Sequence, residues 1–143
     1  MTQAATPFQI LGEEGINELA QTMYQVMDEL PEAATIRAMH GESLETISEK
    51  LAEFLTGWMG GPPRYSEKYG TVCLTDPHAP YHIGPEERDQ WLLCMNTALE
   101  RVGASEELKA MLKEPMYRLA DTVRNQQSSE RPPADPNIIA KTR

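Results

Sequence analysis

The sequence predicts an all-α protein built as one domain. Four stretches repeat apolar residues at helical spacing, and no stretch alternates apolar and polar residues for long enough to make a strand. The 143 residues, with no internal repeat, fit one hydrophobic core better than two.

The first helix is expected over 13–30, with Ile16, Leu19, Ala20, Met23, Met27 and Leu30 on one face. Pro31 interrupts it, and a short helical piece over 32–39 follows, closed by Gly41. In the second helix Leu44, Ile47, Leu51, Phe54, Leu55 and Trp58 recur at helical spacing behind Ser43, a good N-cap residue. Gly60-Gly61-Pro62-Pro63 stops it. The third starts at Pro85, a favourable first position, with Glu86 and Glu87 at the positive end of the helix dipole. Its apolar face carries Trp91, Cys94, Met95, Ala98, Leu99 and Val102, and Gly103 ends it. The fourth follows Ser105 with Leu108, Met111, Leu112, Met116, Leu119 and Val123. Pro115 inside it is expected to kink or split it. Residues 60–84 form a long connection with little periodicity, and a loop of that length in a compact domain is usually functional. The polar, proline-rich stretch 126–143 is expected to be a disordered tail behind a folded domain over 1–125.

Composition narrows the function. Thirteen Lys and Arg face 22 Asp and Glu, a formal net charge of -9. The cations are scattered, so nucleic acid and anionic membranes are poor partners. No apolar run approaches the ~18 residues that span a bilayer. The start MTQAATPFQIL has no basic region and no apolar core of signal type, so a cytoplasmic protein is expected. Cys73 and Cys94 stand in unlike contexts and cannot close a structural zinc site alone. There is no HExxH, no GxSxG and no glycine-rich phosphate loop.

Of the three histidines, His78 stands out, in Asp76-Pro77-His78-Ala79-Pro80-Tyr81. Prolines on both sides stiffen that loop. Read locally, His78 is either a turn residue or an imidazole aimed at one fixed point, as a haem iron requires of its proximal ligand. Trp91 and Tyr24, each read alone, are core side chains. Met39-His40-Gly41 reads as an exposed turn.

Together these residues resemble a family. The run HAPYHIGPEERDQWLLCMNTAL (78–99) resembles the proximal loop and following helix of the bacterial truncated haemoglobins, the two-over-two globins. The run FLTGWMGGPPRYSEKYG (54–70) resembles the end of their distal helix and the turn after it. The likeness covers about residues 10–125, and a tryptophan thirteen residues after the loop histidine marks group II. It implies a two-over-two helical sandwich around haem b, with the proximal histidine on a long irregular loop. By the resemblance, His78 is the iron ligand and Trp91 points into the distal pocket. Tyr24 is the distal tyrosine, and His40 holds a position that is tyrosine or histidine in group II. Ile47, Leu51 and Phe54 face the haem, and Lys50 and Tyr65 approach its propionates, with Arg64, Lys68 or His82 in reserve. Two features depart from the family. The arginines usual before the proximal histidine are replaced by Leu74-Thr75-Asp76-Pro77, and Tyr81 stands where phenylalanine is usual.

The implied function is reversible binding of O2, CO and NO at a pentacoordinate ferrous haem with a polar distal pocket. Tyr24, Trp91 and His40 all carry donors, whereas Ile47 carries none. Two donor bonds to a charged acceptor, each worth ~1.5–3 kcal/mol, slow O2 escape and favour tight binding over easy transport. The alternative is redox chemistry, NO dioxygenation or peroxide reduction, with a reductase as partner. A third reading is a haem-free helical adaptor. Turnover with a reductant separates the first two, and a Soret band excludes the third.

Overall fold

A computed structural model describes residues 5–41, 43–70 and 78–129. Cys73, the segment 74–77 and the tail residues 130–143 lie outside the described residues. Among those described the chain is all-helical, as expected.

Helix α1 spans Pro7–Glu29. Thr6 caps it, its hydroxyl accepting from the Gln9 backbone N–H at 3.1 Å while the Gln9 side chain accepts from the Thr6 N–H at 2.9 Å. Gly12 breaks the helical path with φ 73° and ψ 170°, a conformation glycine adopts without steric cost. The expected helix over 13–30 is therefore the longer limb of a bent element. The shorter limb was legible in the Thr6–Gln9 capping pair.

A 3-10 turn, Pro31–Ala33, leads into α2, Ala34–Ala38. Helix α3 spans Glu45–Trp58. Ser43 stands one position further out than a true N-cap, and its hydroxyl accepts from the Glu45 N–H at 3.3 Å. The Gly-Gly-Pro-Pro stop holds, and α4, Arg64–Tyr69, then interrupts the connection expected to be irregular. Six residues are too few to show periodicity. Helix α5 spans Pro85–Arg101 and α6 spans Glu106–Thr122, the latter capped by Ser105 onto the Leu108 N–H at 3.1 Å. Helix α6 runs through Pro115 without being split. Leu112 and Met116, both buried, hold the two sides of the proline in one packed face.

Helix α1 packs on α3, and α5 packs on α6. The two pairs join where α1 lies on α5, giving a two-over-two sandwich. The core is Ile16, Leu19, Met23, Val26 and Met27 of α1 against Leu55 of α3, Met95 of α5 and Leu108 of α6, all fully buried or nearly so. Each such side chain contributes ~1.5–3 kcal/mol of burial free energy. Helix α3 meets α1 through the buried Ser48, Ala52, Leu55 and Thr56, three of them small, so the helices approach closely. The opposite flank, Ile47, Leu51 and Phe54, stays half-covered.

The chain after α3 turns back on the start of α1. The Phe8 N–H donates to the Met59 carbonyl at 3.0 Å, and a β-carbon on Gly61 would stand 2.5 Å from the Phe8 ring. Gly61→Ala is therefore expected to destabilise by ~1–3 kcal/mol through overpacking. Gly41→Ala, with nothing within 4 Å of the added carbon, should stay within ~0.5 kcal/mol of wild type. Urea midpoints for both variants check this, and equal midpoints would show that the Phe8 ring yields freely.

Candidate functional site

The residues singled out by the sequence are carried by α1, by the turn after α2, by α3, α4 and α5, and by the segment that begins at His78. Helix α1 supplies Tyr24, which is buried. Burial first, then the neighbouring Cys94 thiol, raises the Tyr24 pKa above the usual phenol range, so the hydroxyl stays neutral. Cys94 is itself fully buried, and burial pushes its thiol up to about 11.

His40 follows α2 and turns inward. Its ring meets Tyr24 edge-on, with centroids 5.6 Å apart and planes at 65°. The locally expected exposed turn is thus a half-buried wall of the site. His40 Nδ1 lies 2.8 Å from the Ile36 carbonyl, so the ring N–H donates there. In the neutral ring Nε2 then carries no proton and is an acceptor. That differs from the sequence reading, which counted His40 among the donors. Burial lowers the His40 pKa; the Ile36 bond opposes this, and the charges of Arg37 and His78 add to the lowering.

Ile47, Leu51, Phe54 and Trp91 are half-buried and pack against the core. They form an apolar lining that the polypeptide itself leaves incompletely covered. Phe54 meets Tyr65 of α4 edge-on at 6.2 Å, and Tyr65 lies 4.6 Å from Tyr69. Lys50 and Lys68 approach the Tyr69 ring at 5.4 and 5.5 Å. Lys68 is also paired with Glu53 at 3.0 Å, and Tyr69 donates to the same carboxylate at 3.4 Å. Lys50, Tyr65 and Lys68 are thus brought together at one rim, around a tyrosine the sequence reading did not single out. Tyr69 was detectable as the residue one helical turn after Tyr65. Arg64 is committed elsewhere, to Glu13 at 3.1 Å.

His78, expected in an irregular loop, is itself helical, and the chain turns back directly after it, the Tyr81 N–H donating to the His78 carbonyl at 3.0 Å. Tyr81 is 41% exposed. His82 Nε2 donates to the Ser128 carbonyl at 3.1 Å, which draws His82 toward the end of the described chain. The folded unit therefore reaches beyond residue 125, through contacts that continue to Ser129. Half-buried apolar side chains, a buried tyrosine hydroxyl with a histidine ring against it, and a cluster of lysines and tyrosines suit a flat apolar macrocycle with acidic edge groups. A porphyrin is such a group. Two cavities flank the distal pair, one of about 450 Å³ bordered by Leu30, Arg37 and His40 and one of about 410 Å³ bordered by Gln21, Tyr24 and Ser48.

The family profile of bacterial-like globins matches residues 7–125. A group 2 truncated haemoglobin of Bacillus subtilis is 32% identical over 124 residues, covering 87% of this chain and 92% of that protein. Among solved structures, the group II 2-on-2 haemoglobin of Agrobacterium tumefaciens superposes with a TM-score of 0.81 at 37% identity, over 88% of this chain and 98% of that one. A truncated haemoglobin of Bacillus subtilis described as oxygen-avid gives 0.77 at 30% identity, over 85% and 100%. The chain belongs to the bacterial-like globin family, in its group II truncated, two-over-two branch, and is a haem-binding globin.

The lowered pKa of His40 has a definite sign in stability. A depressed native pKa means the unfolded chain binds the proton more readily. The contribution is full above the ordinary imidazole pKa and declines as the pH falls through the lower native value. Ring NMR of the haem-free protein should show His40 neutral and Nδ1-protonated at neutral pH, with a midpoint below that of free histidine. An Nε2–H tautomer would contradict the Ile36 bond.

Proposed function

We propose that this globin binds O2, CO and NO reversibly at a pentacoordinate ferrous haem b, with His78 as the one protein ligand and O2 favoured by distal donors. What supports this reading is the edge-on packing of the His40 ring on the buried Tyr24, centroids 5.6 Å apart, together with the half-buried Ile47, Leu51, Phe54 and Trp91, in a chain of the truncated haemoglobin family. When bound, haem b supplies a ferrous iron with one position open to a diatomic gas. The polypeptide does the rest. Ile47, Leu51 and Phe54 exclude water from one face of the slot, and burying that flank against a macrocycle recovers apolar area the fold leaves exposed. Lys50 and Tyr65 hold the acidic edge, with Lys68 shared between that task and Glu53.

On the distal side Tyr24 and Trp91 are the donors. The Tyr24 hydroxyl remains protonated throughout the physiological range, and the indole N–H can only donate. His40, having directed its proton to Ile36, offers an acceptor that can orient a neighbouring hydroxyl. The partial negative charge taken up by O2 rewards such donors more than CO does. A solved relative described as oxygen-avid supports the direction of this preference. Steady consumption of NO or peroxide with a reductase as electron donor would extend binding into catalysis.

Two measurements test this. His78→Ala should lose haem or hold it weakly, and added imidazole should restore the spectrum; an unchanged spectrum in the variant would remove His78 from the iron. Trp91→Phe keeps most of the apolar volume and deletes one donor. O2 dissociation should accelerate about tenfold, corresponding to a lost bond of ~1.5 kcal/mol, while CO dissociation changes much less. Equal shifts for both gases would mean that Trp91 acts through pocket shape alone.

A further inference from the structure

The segment after α6 does not leave the fold. It crosses the His78 loop and is fastened to it at several points. Asn125 is the centre of this strap. Its Nδ2 donates to the Tyr81 carbonyl at 2.8 Å and to the His78 carbonyl at 3.3 Å. Its Oδ1 accepts from the Ile83 N–H at 3.0 Å. The Asn125 backbone N–H donates to the Ile83 carbonyl at 2.9 Å, and the Gln126 N–H joins it at 3.0 Å. One amide side chain thus holds three backbone groups of the loop in both donor and acceptor sense.

The strap is fixed at both ends. Before Asn125, Asp121 accepts from Arg124 at 2.7 Å and from Arg88 of α5 at 3.0 Å. Beyond it, the Ser129 hydroxyl donates to Glu87 at 2.7 Å and accepts from the Glu86 N–H at 2.8 Å. The Glu87 carboxyl is held below its usual pKa. Burial opposes ionisation there, but the Ser129 hydroxyl and backbone N–H groups, that of Gly84 among them, outweigh it. Gly84 admits this approach because a β-carbon there would stand 2.7 Å from the Ser129 backbone nitrogen.

We propose that Asn125 is a positioning residue for His78: by holding the carbonyls of His78 and Tyr81 it fixes the backbone from which the imidazole reaches the iron. The inference rests on the reading of His78 as the iron ligand. The carbonyl of His78 receives two donors, Tyr81 N–H and Asn125 Nδ2. The plane of that peptide group, and with it the direction of the Cα–Cβ bond, is therefore set by Asn125 together with the turn. His78 is itself helical and the turn begins directly after it, at Ala79 and Pro80. The peptide group that follows it therefore lies at the helix-to-turn junction and depends on partners of this kind, and small misplacements of a functional group cost heavily. Ligand-orienting groups beyond the metal's own ligands act in the same way in other metal sites.

The test is resonance Raman spectroscopy of the five-coordinate ferrous protein, read at the iron–histidine stretching band. Asn125→Ala should shift or broaden that band and speed haem transfer to a scavenger about threefold to tenfold, the loss of about one net hydrogen bond. Asn125→Asp is a second variant that keeps the acceptor for Ile83 and sets an oxygen against two carbonyls. It should move the band at least as far. Ser129→Ala loosens the far end of the strap and should lower the melting temperature without moving the band. The decisive arm repeats Asn125→Ala in a His78→Gly protein carrying free imidazole. With the ligand cut from the backbone, Asn125→Ala should have no further effect on the band.

A His78→Gly protein that keeps the wild-type band without imidazole would overturn the assignment of the ligand itself. An unmoved band in both Asn125 variants, with His78 confirmed as ligand, would overturn the role of Asn125 alone. An equal shift in the imidazole background, or in Ser129→Ala, would also overturn it, showing a general effect of the strap on the pocket.

Discussion

The close packing of α3 on α1 is the constraint from which the rest of the site follows. Ser48, Ala52 and Thr56 present little bulk toward α1, so the two helices come together and Leu55 enters the shared core. A helix has only one direction in which to satisfy that contact. Fixing it turns Ile47, Leu51 and Phe54 about a third of a turn or more away, where they stay half-buried. Tyr24 shares the buried face of α1 with Met23 and Met27, and it borders a cavity with Ser48 and Ala52 of α3. Much of the surrounding core is methionine: Met23, Met27, Met59, Met95 and Met116 are all buried. Unbranched, polarisable side chains of this kind fill irregular gaps and adapt to a neighbour of awkward shape.

Much of the fold was legible in the sequence because its signals are local. The periodicity of α3 and α5, the Ser105 cap and the glycine-proline stop after Trp58 each depend on residues within a few positions of one another. The misreadings have equally local causes. Helix α4 is too short to display a period, and Gly12 bends α1 where a helix-length pattern shows only the longer limb. Pro115 was expected to disturb α6 because it removes one backbone donor. The buried Leu112 and Met116 on either side outweigh that loss through packing, which propensity does not register.

The site divides along the same line. Tyr24, Trp91 and the flank of α3 sit on helices and were placed by spacing and by family resemblance. The Lys50–Tyr69–Lys68 cluster and the Glu53 carboxylate needed three dimensions, because they join α3 to α4 across the turn that ends one helix and starts the next. The state of His40 was the least accessible. Whether its ring presents an N–H or a lone pair depends on one backbone carbonyl, that of Ile36, and nothing in the sequence around Met39-His40-Gly41 indicates that the ring turns inward to meet it.

The two sides of the site are consequently held by different means. Tyr24 and Trp91 inherit their positions from helices that belong to the hydrophobic core, so their geometry is secured by the same burial that makes the protein fold. The stretch from His78, which is helical, through the turn to Gly84 rests on less of the core, and of its residues Ile83 and Gly84 alone are buried. Its position comes from directed polar contacts instead: the turn between His78 and Tyr81, the Asn125 amide, and the Ser129–Glu87 link. Hydrogen bonds of this exposed kind contribute little stability singly, about 0.5–1.5 kcal/mol each. Their strength here is directional. Each fixes a peptide plane, and three peptide groups between His78 and Ile83 answer to one asparagine.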